Sequence, residues 1–104
     1  MPATTTPATL TQAGDNQFAV SGSLNFATVS QLLIQSKSLF ANAAAIDIDL
    51  SAVQHADSAG LALLLEWLRY GKQVNKVVHF HGLPTQLRTL ASISEVESLF
   101  GDAA

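Results

Sequence analysis

Ile46, Ile48 and Leu50 alternate with Asp47 and Asp49, a pattern that fits an extended strand with one buried face. The strand reads from Ala45 to Leu50. Next, Asp57-Ser58 opens a helix that runs to about Gly71, carrying Leu61, Leu64, Leu65 and Leu68 in one arc of the helical wheel. Lys76 to Phe80 reads as another strand. A strand, a helix and a strand in succession require a crossover connection, so this stretch constrains the chain to an α/β fold with a partly parallel sheet.

The flanking segments extend the pattern. Thr9 to Gln12 and Gln17 to Ser21 are short runs around the turn cluster Gly14-Asp15-Asn16, which reads as a hairpin and makes the sheet mixed. Asn25 to Phe40 has helical spacing, with Val29, Leu32, Leu33, Ser36, Leu39 and Phe40 on one stripe and Asn25 as the expected cap. Pro84 falls in the first turn of a third helix, which turns Leu87, Leu90, Ala91 and then Ile93 inward. A tail from Glu95 to Phe100 brings Val96, Leu99 and Phe100 back onto the core. The order is ββαβαβα plus a C-terminal tail. Residues 1–8 read as a flexible lead-in, 9–100 as one domain and 101–104 as a tail.

Composition narrows the chemistry. Without a cysteine there is no disulfide, thiolate metal site, Fe–S cluster or thiol nucleophile. A net charge of −3 argues against a grip on nucleic acid phosphates. Met1 to Thr11 lacks the apolar centre of a signal peptide. The longest strongly apolar run, Leu61 to Leu65, falls far short of the roughly 18 residues of a spanning helix. A cytoplasmic protein without membrane insertion is therefore expected. Charged residues make up 12% of the chain, against roughly 25% in an average soluble domain. So little polar covering suggests that part of the surface meets another protein.

The helix opened by Asp57 carries the sharpest expectations. Burying its four core-facing leucines contributes roughly 6–12 kcal/mol gross, at ~1.5–3 each. Leu63, Trp67 and Tyr70 fall nearly opposite that arc, and include the only Trp and the only Tyr of the chain. Both types are enriched at interface hot spots, so this stripe is expected to face a partner, or a second copy of the chain when the partner is absent. The competing reading is that the third helix or the tail covers the stripe. Ser58 falls at or next to the N-cap. A hydroxyl there caps the helix, or carries a phosphate that the free N–H groups and the helix dipole would stabilise.

Enzymatic constellations are poor. There is no glycine-rich phosphate loop and no serine in a nucleophile elbow. Asp47 and Asp49 share a strand face, a pattern that more often marks a polar edge or loop-capping acids than catalysis. His79 and His81 also share one strand face, but a metal needs a third ligand, and His55 is the only other histidine. The sequence therefore predicts no catalytic residue, metal or cofactor.

The stretches Ile46-Asp-Ile-Asp-Leu-Ser-Ala-Val53 and Asp57-Ser-Ala-Gly-Leu-Ala-Leu-Leu-Leu65 resemble the STAS domain family, which includes anti-sigma-factor antagonists and the cytoplasmic tails of sulfate transporters. Its hallmark is a hydrophobic strand, a short loop and Asp-Ser/Thr-Ala/Ser-Gly opening a helix. The segment Gly82-Leu-Pro-Thr-Gln-Leu-Arg-Thr-Leu-Ala91 resembles its last helix region. Within the family, Gly22-Ser-Leu-Asn-Phe-Ala-Thr-Val29, Ala62-Leu-Leu-Leu-Glu-Trp-Leu-Arg69 and Pro84-Thr-Gln-Leu-Arg88 resemble the small STAS subunits of phospholipid-transport ABC complexes. That resemblance implies a cytoplasmic ATPase subunit as partner and, through it, an inner-membrane permease. It implies a non-catalytic protein that stabilises or activates the ATPase, with Asp57, Ser58 and Ala59 in the docking loop. The alternative it implies is an anti-sigma-factor antagonist switched by phosphorylation of Ser58.

Overall fold

The computed structural model describes residues 7–101. Its elements are β1 (Thr9–Gln12), β2 (Gln17–Leu24), α1 (Val29–Ala41), β3 (Ile46–Ala56), α2 (Ser58–Val74), β4 (Val78–His81) and α3 (Thr85–Ile93), then a 3₁₀ turn at Glu97–Phe100. The strands form one sheet in the order β1-β2-β3-β4. β1 and β2 pair antiparallel, while β2/β3 and β3/β4 pair parallel. This is the mixed sheet and the ββαβαβα order expected from the sequence. Residues 1–6 and 102–104, in the expected lead-in and tail, lie outside the described residues.

Strand alternation sorts the sheet into two faces. Phe18, Val20, Ile46, Ile48, Leu50 and Phe80 are buried in the core with the helices. Gln17, Asp49, His79 and His81 are exposed on the opposite face, with Ala19 and Asp47 half-buried there. β3 is longer than its alternating segment, because Ser51–Ala56 continues beside the end of β2. Two register shifts, between Ala19 and Ser21 and between Gly22 and Ser23, each place one extra residue on β3. The first of them turns Val53, rather than Ala52, into the core. Gly22 sits there at φ +92°, where an added Cβ would collide with the Pro7 carbonyl.

Helix boundaries shift from expectation at two points. α1 begins at Val29, and Asn25 instead organises the preceding turn: its Oδ1 accepts the Ala27 N–H at 2.8 Å, and its carbonyl accepts the Thr28 and Val29 N–H groups. Pro84 is the N-cap of α3 rather than its first residue, in extended backbone that suits its fixed φ. Ile93, expected inward, is 73% exposed because the helix ends there, whereas Leu87 and Ala91 are buried. Phe100 returns to the core against Phe80, ring centres 5.7 Å apart, but Leu99 stays outside. α1 has no basic residue in its last turn, and Lys76 supplies the cation from across the fold. Its Nζ donates to the Phe40 and Ala41 carbonyls at 2.8 and 3.1 Å.

The largest correction concerns α2. Leu63 and Trp67 are buried, at 3% and 1% exposure, and Tyr70 is half-buried. α1 covers this stripe, rather than α3 or the tail. Trp67 stacks edge-on against Phe40 at 5.5 Å and donates Nε1–H to Ser36 Oγ at 2.9 Å. Helix α2 packs on the sheet, on α3 and, through the Trp67 stripe, on α1, so more than one of its faces is apolar. The stripe is thus an internal helix–helix seam.

Candidate functional site

The start of α2 is built from residues with distinct tasks. Asp57 is the N-cap, in extended backbone, and its Oδ1 accepts the Ala59 N–H at 2.8 Å. Its own N–H donates to the Leu24 carbonyl at 3.1 Å, tying the turn to the end of β2. Its carbonyl accepts the Gly60 and Leu61 N–H groups at 2.9 and 3.3 Å. Gly60 is buried where an added Cβ would lie 2.9 Å from Leu24 Cβ and 3.3 Å from Ala56 Cβ. Only a residue without a side chain lets the first turn sit this close to the sheet.

Ser58 is left over from this construction. It occupies the first helical position, is exposed, and its hydroxyl makes no hydrogen bond among the described residues. The capping role expected at or next to Ser58 belongs to Asp57. Asp57, Ser58 and Ala59 are brought together at one turn. Leu63 and Trp67 are withdrawn into the core, and Tyr70 lies half-buried at the far end of the seam, its ring 6.2 Å from Phe40.

A residue the sequence reading passed over lies at the same end of the sheet. Phe26 follows β2 in the turn before α1 and is 90% exposed. β2 and β3 are parallel and end side by side at Leu24 and Ala56, so the Phe26 turn and the Ser58 turn leave the sheet together. The signal was present, since an aromatic residue between Asn25 and Thr28 stands off the α1 stripe. Elsewhere Ile34, Val74, Val77, Ile93 and Leu99 are also exposed, and Val77 and Leu99 line one groove with Leu65, Leu68 and Val78.

These features coincide with a known architecture. The family model described as "Mlab, STAS domain" matches residues 9–101. The chain belongs to the STAS domain family. One STAS relative, the intermembrane phospholipid transport system binding protein MlaB of Haemophilus influenzae, is 39% identical over 64 residues, covering 57% of this chain and 61% of that protein. The aligned stretch thus spans less than two thirds of the relative. Among solved structures, the unphosphorylated anti-sigma factor antagonist SpoIIAA superposes with a TM-score of 0.70 at 16% identity, covering 88% of this chain and 83% of that one. The phosphorylated form of SpoIIAA from Bacillus gives 0.68 at 16% identity, covering 88% and 86%. At that identity the likeness establishes a shared STAS fold.

On the uncovered face of the STAS sheet, Asp49 Oδ1 accepts the Ser51 N–H at 2.9 Å. That bond, with the Ser51 hydroxyl, holds the Asp49 carboxyl below its ordinary range; slight burial opposes this, and the nearby His81 lowers it a little further. Asp49 therefore bonds within its own strand rather than capping a loop. Asp47 instead meets His79 and His81. His55, the third histidine considered from the sequence, is not in that group.

Proposed function

We propose that this chain is a non-catalytic STAS subunit of an ABC complex for phospholipid trafficking. In this reading it docks on the cytoplasmic ATPase and stabilises or activates it. The docking surface is the turn of Asp57, Ser58 and Ala59 together with Phe26. Through the ATPase the chain sits beside an inner-membrane permease, and the complex maintains outer-membrane lipid asymmetry. The family match over residues 9–101 and the name of the Haemophilus influenzae relative support this reading. No helix among the described residues is long and apolar enough to cross a membrane, which fits attachment through a partner.

The observation that carries the proposal is the division of labour at the start of α2. Asp57 caps the helix and Gly60 permits its approach to Leu24, while Ser58 has no bond to make and faces outward beside the Phe26 turn. An exposed small hydroxyl and an exposed aromatic side chain at the same end of the sheet suit a protein interface, where aromatic anchors dominate binding.

The same hydroxyl favours one second reading, an anti-sigma-factor antagonist switched at Ser58. A phosphate of roughly −1.5 to −2 charge at this turn would oppose docking on an apolar partner. Isolation of the chain with its partners from native cytoplasm and detergent-solubilised membranes separates the two. Recovery of an ABC ATPase and its permease, with Ser58 unmodified, is the expected result. Recovery of a kinase-type anti-sigma factor with a phosphorylated Ser58 pool would replace the transporter reading with the second.

A further inference from the structure

On the bare face of the sheet, away from the docking turn, three ligand-type atoms converge across the last two strands. His79 and His81 stand at i and i+2 on β4 and so point to the same side. The parallel register sets Asp47 of β3 directly opposite His79, one step from His81. His79 Nδ1 lies 3.2 Å from His81 Nε2 and 3.5 Å from Asp47 Oδ1, and Asp47 Oδ1 touches His81 Nε2. All three atoms fall within 4.8 Å of one another.

The geometry points to a site for a divalent transition metal of the zinc class, held by Asp47 Oδ1, His79 Nδ1 and His81 Nε2. Zinc binds imidazole nitrogen and carboxylate oxygen at about 2.0–2.2 Å, which sets tetrahedral ligand–ligand edges of about 3.3 Å. The two His79 edges, 3.2 and 3.5 Å, bracket that value, and the shorter Asp47–His81 contact has to open to it when the metal enters. Asp47 Oδ1 supplies the independent sign. The atom is buried, and despite its contact with His81 it accepts no well-formed hydrogen bond among the described residues. Such an atom needs a partner, and a cation in the cluster supplies one where an imidazole N–H does not. The imidazoles are about half exposed and Asp47 is 37% exposed, so metal enters from solvent without rearrangement of the core.

Two imidazoles and one carboxylate suit zinc, nickel, copper and ferrous iron far better than magnesium or calcium, which favour all-oxygen sites. Three protein ligands leave a further position for water. The metal would also bridge β3 to β4, a strand of four residues at the edge of the sheet.

The test is calorimetric titration of zinc into the full chain with no histidine tag, followed by cobalt absorption spectroscopy. One metal per chain, with the intense visible bands of four-coordinate cobalt, is expected. His81→Ala and Asp47→Asn should each weaken zinc binding about tenfold or more. His55→Ala should leave it unchanged. Zinc should raise the melting temperature of the wild type and not of His81→Ala, with both variants showing the wild-type circular dichroism spectrum when metal-free. Absence of saturable binding to the wild type would overturn the site. So would wild-type affinity in both Asp47→Asn and His81→Ala.

Discussion

Trp67 donates its indole N–H to Ser36 Oγ across 2.9 Å, and the Ser36 hydroxyl donates in turn to the Leu33 carbonyl at 2.7 Å. Ser36 is 2% exposed, so this short chain of bonds lies inside the α1–α2 seam. Removing Ser36 Oγ would leave a buried N–H without a partner. Ser36→Ala is expected to cost about 1–3 kcal/mol. Trp67→Ala, which also empties the space beside Phe40, is expected to cost about 3–5 kcal/mol. Combining Ser36→Ala with Trp67→Phe should cost less than the sum of the two single changes, because both act on one bond. Thermal unfolding of the free protein checks all three. At about 4–8 °C per kcal/mol for a chain of this size, the shifts are easily read.

The elements and their order were legible because strand and helix periods differ, and Ile46-Asp-Ile-Asp-Leu50 admits one interpretation. The face of α2 that carries Trp67 was not legible. A helical wheel separates apolar from polar arcs on a helix with one neighbour, but α2 packs against the sheet, α3 and α1. Ser36, a polar residue in the inward stripe of α1, was the clue that an indole N–H would come to meet it. Register is also unwritten in local sequence. Nothing near His79 announces that Asp47 will lie opposite it, and the extra residue that turns Val53 inward shows only in the pairing. The Asp57–Gly60 motif was readable as a motif, but the division of its tasks depends on how near Leu24 comes.

Gly60 gives a direct check on that closeness. Gly60→Ala gains up to about 1 kcal/mol in helix propensity. Against this, its new Cβ meets Leu24 Cβ at 2.9 Å, on a strand that is held on both sides. A net loss of about 1–3 kcal/mol is expected, as for other overpacked sites. Chemical denaturation should show a lower midpoint with an unchanged slope. A neutral or stabilising result would mean that the first turn of α2 does not press on β2.

Asp49 predicts a small acid-side dependence of stability. Its carboxyl titrates below the usual carboxylate value in the folded chain because the Ser51 N–H and hydroxyl donate to it. A folded-state value below the unfolded one favours folding above the ordinary value of about 3.9. That contribution fades as pH falls through the lower, folded value. The group is largely exposed, so solvent screening keeps the effect modest. Asp49→Asn should flatten the stability profile below about pH 4, while leaving the region from pH 6 to 8 parallel to the wild type. An unchanged acid limb would show that the Ser51 bonds are equally available to the unfolded chain.

Asp57 and Ser58 are neighbours with opposite expected profiles, and together they test the reading of the docking turn. Asp57→Ala removes the acceptor of the Ala59 N–H and should cost about 1 kcal/mol, within the usual range of about 0.5–2 for a lost N-cap. Ser58→Ala removes a hydroxyl that bonds nothing among the described residues and should stay within about 0.5 kcal/mol of the wild type. Ser58→Glu adds a negative charge in the first helical turn, which holds no acidic residue, and should be neutral or stabilising by about 0.3–1 kcal/mol. In affinity for the partner the ranking inverts. Ser58→Glu should bind most weakly, because it sets a charge on the contact surface, and Phe26→Ala should weaken binding with no loss of stability. Thermal unfolding of the free chain beside a titration of the recovered partner reads both properties on the same variants. If Ser58→Ala lowered the melting temperature as much as Asp57→Ala, the hydroxyl would be part of the cap. If Ser58→Glu bound as tightly as the wild type, the partner would have to sit elsewhere on the domain.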